Sequence, residues 1–159
     1  MKSIACCIVS VLISSIIVAQ PVKKHGQLKV MGTQLVDKND KAIALHGMSF
    51  GWSCFHPRFY TAGAVTTLVK DWKSTLIRAS MGIEPEKGYK EDSATQMKLM
   101  KTVIDACIKE GVYVIIDWHS HNVNLKEAKA FFKTMAAEYH QYPNIMYEIF
   151  NEPDYETWP

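Results

Sequence analysis

Hydrophobic residues follow two different periods along the chain. Apolar positions recur every third or fourth residue from Ser93 to Glu110 and from Leu125 to Tyr139, which predicts two amphipathic helices. Gly111, directly after the first of these segments, is a typical helix stop. Shorter apolar runs between the helical segments predict strands, and their sequences are TLIRAS, VYVIID and NIMYEIF.

Two further segments complete the predicted order of elements. Residues 61–72 have a shorter helical pattern, with Thr61 as a candidate N-cap. Residues 34–37 and 42–45 are strand-like and flank a polar turn, which predicts a β-hairpin. The strand that ends in GMSFGW then begins a regular alternation of strands and helices. This order is typical of an α/β fold with parallel strands, and both a doubly wound sheet and half of a (β/α)8 barrel fit it.

The first 19 residues differ in composition from the rest of the chain. Met1 and Lys2 precede an almost continuously apolar run from Ile4 to Val18, which is typical of a secretory signal peptide. A membrane-spanning helix needs about 20 apolar residues, so a membrane anchor is disfavoured. We therefore expect cleavage near Ala19, a secreted protein with its domain in residues 20–159, and no membrane association after cleavage.

Charge and cysteine content disfavour several classes of site and partner. The chain has 159 residues and a formal net charge of +2, so it lacks the strong positive field of nucleic-acid-binding proteins. The loop after the first strand contains no glycine-rich phosphate motif. Two cysteines, Cys54 and Cys107, follow the signal segment, which is too few for a disulfide framework, and we expect Cys107 to be a buried free thiol. We expect a neutral or mildly charged partner and no cofactor.

Polar and aromatic residues stand where the predicted strands end. In α/β folds the ligand-binding site lies at the carboxyl ends of the parallel strands. Indole rings pack against sugar rings, and amide and carboxyl groups hydrogen-bond to sugar hydroxyls. The sequence therefore predicts a carbohydrate site rather than a phosphate site. Its candidate residues are Trp52, Arg78, Trp118, His119, Asn151 and Glu152, with Trp158 close by.

Each candidate also has a purely structural interpretation. Arg78 could pair with a buried acid such as Asp117 or Glu148, because an unpaired buried charge is very costly. His119 could be a hydrogen-bonded histidine of the core. Glu152 could be the solvated first residue of a loop, which is the common fate of a glutamate.

Two other classes of function stay open. Asp117, His119 and His121 alternate along one strand and share a face, where they could bind the metal ion of a metal-dependent hydrolase. Alternatively, Trp52 and the other tryptophans could bind glucan without hydrolysing it. Chelator sensitivity tests the first interpretation, and glucan binding that is unaffected by Glu152→Gln supports the second.

Four segments together resemble glycoside hydrolase family 5. These segments are LHGMSFGWS, LIRASMG, VYVIIDWHSHN and YPNIMYEIFNEP. They are similar to the secreted endo-β-1,4-glucanases of that family, and particularly to the animal cellulases of nematodes and some insects. The resemblance covers Gly26 to Pro159. It implies a (β/α)8 barrel that hydrolyses cellulose or a related β-1,4-glucan with retention of configuration, without a metal ion.

The resemblance also implies a role for individual residues. Glu152, in the Asn-Glu-Pro motif, is the expected general acid/base, because the glycosidic oxygen must be protonated to leave. Asn151 is expected to bond the sugar 2-hydroxyl at the cleavage subsite. Arg78 is expected to steady the nucleophile, and His119 to line the cleavage subsite.

The nucleophile of this family is a glutamate after the seventh strand. Retaining enzymes place it about 5 to 5.5 Å from the acid/base. Glu84, Glu86 and Glu148 do not match it convincingly, so we expect residues 20–159 to be the N-terminal half of the catalytic domain. Because an open half-barrel leaves strand edges unpaired, we also expect the 159-residue chain to be unstable or inactive alone.

Overall fold

The computed structural model describes residues 20–154. The predicted signal peptide in residues 1–19 and the candidate Trp158 lie outside this part of the chain. The described chain begins with a short cap made of helix α1 (Pro21–His25) and strands β1 (Lys29–Met31) and β2 (Gln34–Val36). The hydroxyl of Tyr113 donates a hydrogen bond to the carbonyl of Gly26 (2.6 Å), which ties this cap to the main sheet.

The main sheet contains four parallel strands in the order of the chain. They are β3 (Gly47–Trp52), β4 (Leu76–Gly82), β5 (Tyr113–His119) and β6 (Ile145–Glu148). The strands are connected by helices α2 (Ala62–Lys70), α3 (Ser93–Glu110) and α4 (Leu125–Tyr139). The predicted α/β fold is therefore confirmed, and the bounds of α3 and α4 coincide with those of the periodic segments. None of the helices within residues 20–154 is long and apolar enough to span a membrane.

Local capping explains where the helices begin and end. The side chain of Thr61 accepts a hydrogen bond from the backbone N of Ala64 (3.1 Å) at the start of α2. Asp92 accepts one from the backbone N of Thr95 (3.0 Å) at the start of α3. Gly111 ends α3 in the left-handed conformation (φ 72°), which glycine adopts without steric cost. These contacts satisfy backbone groups that a helix end leaves unpaired.

The predicted hairpin is correct in its first strand, residues 34–37, but wrong in the strand that pairs with it. Residues 34–36 pair antiparallel with β1 across a turn at Gly32, and not with residues 42–45. Val36 and Ala42 form only an isolated bridge. The reason is the Asp37 carboxylate, which accepts hydrogen bonds from the backbone N of Asn39 (2.8 Å) and Lys41 (3.2 Å) and closes a tight loop.

The two faces of the sheet have opposite character. Successive strand residues point to opposite faces, so each strand contributes to both. The face against the helices is a continuous apolar core. It includes Ile77, Ala79 and Met81 of β4 and Val114, Ile116 and Trp118 of β5. The opposite face, which we call the polar face, carries Ser49, Arg78, Ser80, Asp117, His119 and Glu148.

The outer strands of the sheet each pair on one side within residues 20–154. They are β3 and β6. Apolar side chains are solvent-exposed in these strands (Met48 and Tyr147) and directly after β6 (Ile149). The instability of the isolated chain stays a prediction. Cys107 is free and fully buried in α3, as expected, and burial raises the pKa of its thiol.

Candidate active site

Arg78 is the centre of the polar face. Its guanidinium donates to both carboxylate oxygens of Glu148 (2.8 and 2.7 Å) and to Oδ1 of Asn151 (2.7 Å). Nη2 also lies 3.0 Å from Oδ2 of Asp117. The hydrogen bonds to Glu148, and then the charge of Asp117, raise the pKa of Arg78 above its usual value. The structural pairing foreseen for Arg78 therefore exists, and the same guanidinium also positions the Asn-Glu-Pro segment.

Asp117 connects this arginine to the candidate histidine. Oδ2 of Asp117 is 2.7 Å from Nδ1 of His119, and Asp117 is fully buried. Because an ionised carboxylate only accepts hydrogen bonds, Nδ1 of His119 carries the hydrogen in this contact. The pair fixes the orientation of the imidazole and leaves Nε2 as its second polar atom.

Trp52 lies against both histidines of the DWHSH segment. Its ring packs edge-on against His119, with the ring centroids 4.4 Å apart, and its centroid is 5.4 Å from that of His121. Trp52 is half-buried, so part of its indole ring stays accessible. Gly82 leaves room for this loop, because a Cβ atom at that position would collide with Sγ of Cys54 and would lie 3.1 Å from Cε3 of Trp52.

Glu152 lies at the same rim, beyond the end of β6. Its side chain is 71% exposed, and Oε2 is 3.8 Å from Nδ1 of His121. The carbonyl oxygen of Glu152 is 3.3 Å from the same Nδ1. The structure thus brings Glu152, Asn151, Arg78, His119 and Trp52 together at the carboxyl ends of the strands.

A second polar cluster holds the loops of this rim together. Oε1 of Glu84, in the loop after β4, contacts the hydroxyl of Ser120 and accepts a hydrogen bond from Nδ2 of Asn124 (2.6 Å). Ser120 is fully buried. The backbone N of Glu152 lies 3.5 Å from the carbonyl oxygen of Ser120. This cluster therefore joins the loops after three successive strands.

The prediction that Trp118 contacts a ligand is wrong. Trp118 is fully buried on the helix side of the sheet. It packs against Phe131 and Phe132 of α4 and against Tyr89, with ring centroids 5.3 to 6.3 Å apart. The physical reason is the alternation of the strand, because a residue between Asp117 and His119 must face away from both.

The alternative of a metal site is not supported by the geometry. Asp117 and His119 do share a face, but they bond to each other, and His121 lies beyond the end of the strand. Between residues 20 and 154, no group of three or more His, Cys, Asp or Glu side chains is arranged to hold a metal ion.

Comparison with known sequences gives the family. The family model described as Cellulase (glycosyl hydrolase family 5) matches residues 36–159. This chain belongs to glycoside hydrolase family 5. Endoglucanase Z of Dickeya dadantii is 41% identical over 136 residues, which are 82% of this chain and 32% of that protein. Endoglucanase E-5 of Thermobifida fusca is 36% identical over 143 residues, which are 87% of this chain and 30% of that protein.

Solved structures of the family have the same arrangement of strands and helices. The catalytic domain of Thermobifida fusca endoglucanase Cel5A superposes with a TM-score of 0.82 at 36% identity, over 87% of this chain and 47% of that domain. Another structure of that domain is described as a complex with cellotetraose. The chain spans about a third of these curated relatives and about half of the catalytic domain. The predicted fold, part of a (β/α)8 barrel, is confirmed by the four parallel strands and by these family 5 structures.

Three residues of the rim make contacts that the sequence does not predict. Asp117 is a candidate partner of Arg78 and a candidate metal ligand, but its simultaneous contact with Arg78 and His119 depends on strand register. Glu84 and Ser120 meet only because the loops after β4 and β5 are adjacent. The alternation of Asp117 and His119 was the one local signal for the first contact, and the sequence contains no signal for the second.

Proposed function

We propose that the protein hydrolyses β-1,4-glucan and that Glu152 is its general acid/base. The proposal depends above all on the hydrogen bond from Arg78 to Asn151 (2.7 Å). This bond fixes the residue directly before Glu152 at the rim that also carries His119 and Trp52. Membership of family 5 and the endoglucanase relatives support the reaction class.

The orientation of Asn151 supports its proposed contact with sugar. A guanidinium only donates hydrogen bonds, so the amide oxygen of Asn151 must face Arg78 and its Nδ2 must point elsewhere. Within residues 20–154, Nδ2 has no hydrogen-bond partner. We assign it to the sugar 2-hydroxyl at the cleavage subsite. The cellotetraose complex of the Thermobifida relative supports cello-oligosaccharides as the ligand class.

Retaining hydrolysis also needs a nucleophilic carboxylate. Glu148 is occupied by two hydrogen bonds from Arg78, and Glu84 by Ser120 and Asn124. We therefore assign the nucleophile to neither of these two carboxylates. The family resemblance places it after a seventh strand, where Arg78 would steady it from the polar face.

The decisive experiment compares Glu152→Gln with wild type on carboxymethyl-cellulose and cellotetraose, in both cases in a protein that also contains the nucleophile after the seventh strand. We expect hydrolysis to fall by roughly 10²- to 10⁴-fold, because the amide cannot donate a proton to the leaving oxygen. Glu138→Gln is the control, since Glu138 lies near the end of α4 and forms a surface ion pair with Lys101. Hydrolysis by Glu152→Gln at the control rate would contradict the proposal.

The second candidate is a protein that binds glucan without hydrolysing it. The half-buried indole of Trp52 could pack against a sugar ring without help from a catalytic residue. Binding of cellotetraose without hydrolysis, equal in wild-type and Glu152→Gln protein, would favour this candidate. A loss of hydrolysis in the variant alone would exclude it.

We also propose that the protein is secreted. The support is the basic start and apolar run within residues 1–19. Expression in a secreting host, followed by N-terminal sequencing of protein from the medium, should give a start near Gln20. Retention of Met1 inside the cell would contradict secretion.

A further inference from the structure

The imidazole of His121 lies between the Trp52 ring and the segment that carries Glu152. Its Nδ1 is 3.3 Å from the carbonyl oxygen of Glu152 and 3.7 Å from Oδ2 of Asp154. The ring of His121 is inclined at 31° to the indole of Trp52. A carbonyl oxygen only accepts hydrogen bonds, so Nδ1 of His121 carries the hydrogen.

Apolar packing holds only part of this segment, because Phe150 is half-buried beside Phe132 of α4. The side chain of Glu152 is 71% exposed, and Ile149 is 73% exposed. Polar contacts must therefore fix the backbone around Glu152. They come from Arg78 through Asn151 on one side and from Ser120 and His121 on the other.

We propose that His121 is a positioning residue for Glu152, which donates a hydrogen bond from Nδ1 to the Glu152 carbonyl and holds its backbone at the rim. This inference rests on the proposed function, in which Glu152 protonates the leaving oxygen. Small displacements of a catalytic group reduce the rate steeply, by roughly 10²-fold for about 1 Å. Loss of the donor should therefore lower kcat while leaving most of the substrate contacts and KM unchanged.

Two substitutions separate the donor of His121 from its ring. His121→Asn places an amide N–H near the position of Nδ1 but removes the ring that packs on Trp52. His121→Phe keeps a ring on Trp52 and removes the donor. His140→Phe is the matched control, because Nδ1 of His140 also lies close to a backbone carbonyl oxygen, that of Ala136 (3.0 Å), at the end of α4.

The test combines kinetics on cellotetraose with hydrogen exchange, both in a protein that also contains the nucleophile after the seventh strand. We expect His121→Phe to lower kcat by roughly 10- to 100-fold with little change in KM, and His121→Asn to stay within about threefold of wild type. Amide exchange at Asn151, Glu152 and Asp154 should accelerate in His121→Phe only. His140→Phe should match wild type in both measurements.

Two results would overturn the proposal. Equal exchange rates at Glu152 in wild-type and His121→Phe protein would show that the donor does not hold the segment. A loss of kcat in His121→Asn with wild-type kcat in His121→Phe would assign the effect to the ring instead. Hydrogen exchange needs no turnover, so it decides the role of His121 even if Glu152→Gln shows that the proposed hydrolysis is wrong.

Discussion

The two faces of the main sheet are built from the same strands but serve different purposes. On the helix side, residues of β4 and β5 such as Met81 and Trp118 are fully buried in apolar contacts. On the polar face, Arg78 and Asp117 of the same two strands form an ion pair and make no apolar core contacts. One strand can therefore supply stability and chemistry at once, because alternate side chains point to opposite faces.

This division has a consequence for how each face responds to substitution. Loss of apolar volume is expected to affect mainly the free energy of unfolding. Loss of a charged group on the polar face leaves its oppositely charged partners without a counter-charge, and it also displaces groups at the rim. Substitutions of Trp118, Arg78 and Trp52 test whether the two faces are separable in this way, and a substitution of Asp37 tests the cap outside both faces.

The largest effect on stability is expected for Trp118→Ala. The change removes a fully buried indole that packs on Phe131, and it should lower the free energy of unfolding by about 3–5 kcal/mol. Trp118→Phe should lower it less, because the indole N–H has no hydrogen-bond partner within residues 20–154. Urea unfolding measures both, and Trp72→Ala is the control, because Trp72 is 63% exposed. Equal losses at Trp118 and Trp72 would contradict the assignment of Trp118 to the core.

Arg78→Met should have the next largest effect and should act on both stability and the rim. It leaves Asp117 and Glu148 without their shared cation, and removing one partner of a buried pair costs about 3–5 kcal/mol. Because the side chain of Arg78 is 23% exposed, we expect a value near 3 kcal/mol from urea unfolding.

Lys101→Met is the matched control for Arg78→Met. It breaks the ion pair with Glu138 (2.7 Å), which lies on the helix surface and should contribute no more than about 1 kcal/mol. If the two variants lost the same free energy of unfolding, the Arg78 network would contribute no more to stability than a surface ion pair does.

Trp52→Ala should separate binding from stability. The half-buried indole packs on His119 at the rim, so we expect cellotetraose binding to weaken about tenfold, which is about 1.4 kcal/mol. Calorimetric titration measures this change. Trp52→Phe should recover most of the affinity. A loss of stability like that of Trp118→Ala, without a loss of binding, would place Trp52 in the core instead.

The smallest effect is expected in the N-terminal cap, outside both faces. The hydrogen bond with His25, together with those from the backbone N of Asn39 and Lys41, holds the pKa of Asp37 below its usual value, against the effect of burial. A lowered pKa in the folded state means that Asp37 stabilises the protein above its unfolded-state pKa, near 4. This contribution is lost as the pH falls through the lower pKa of the folded state.

Asp37→Asn should therefore be less stable than wild type at neutral pH. The difference between the two proteins should shrink below about pH 4, because Asp37 then becomes protonated first in the unfolded state and, at lower pH, in the folded state. Urea unfolding across this pH range measures it. A difference that persisted unchanged at low pH would show that the charge of Asp37 does not stabilise the cap.

Local sequence signals predicted the helices and most strands well. Ser93–Glu110 and Leu125–Tyr139 are helical as expected, because an amphipathic period and a stop such as Gly111 act within a few residues. No local pattern predicts α1, which has only five residues. The hairpin partner was wrong because Asp37 and its backbone contacts decided where the chain turned.

The sequence by itself determined the α/β order, the family and the residues at the strand ends, because these depend on local periodicity and on motifs that are contiguous along the chain. Only the tertiary structure decided that Trp118 is a core residue, that Asp117 joins Arg78 to His119, and that His121 contacts the backbone of Glu152. Such contacts join residues on different strands and loops. They depend on strand register and on the face to which each side chain points, and a one-residue shift would reverse every one of those faces.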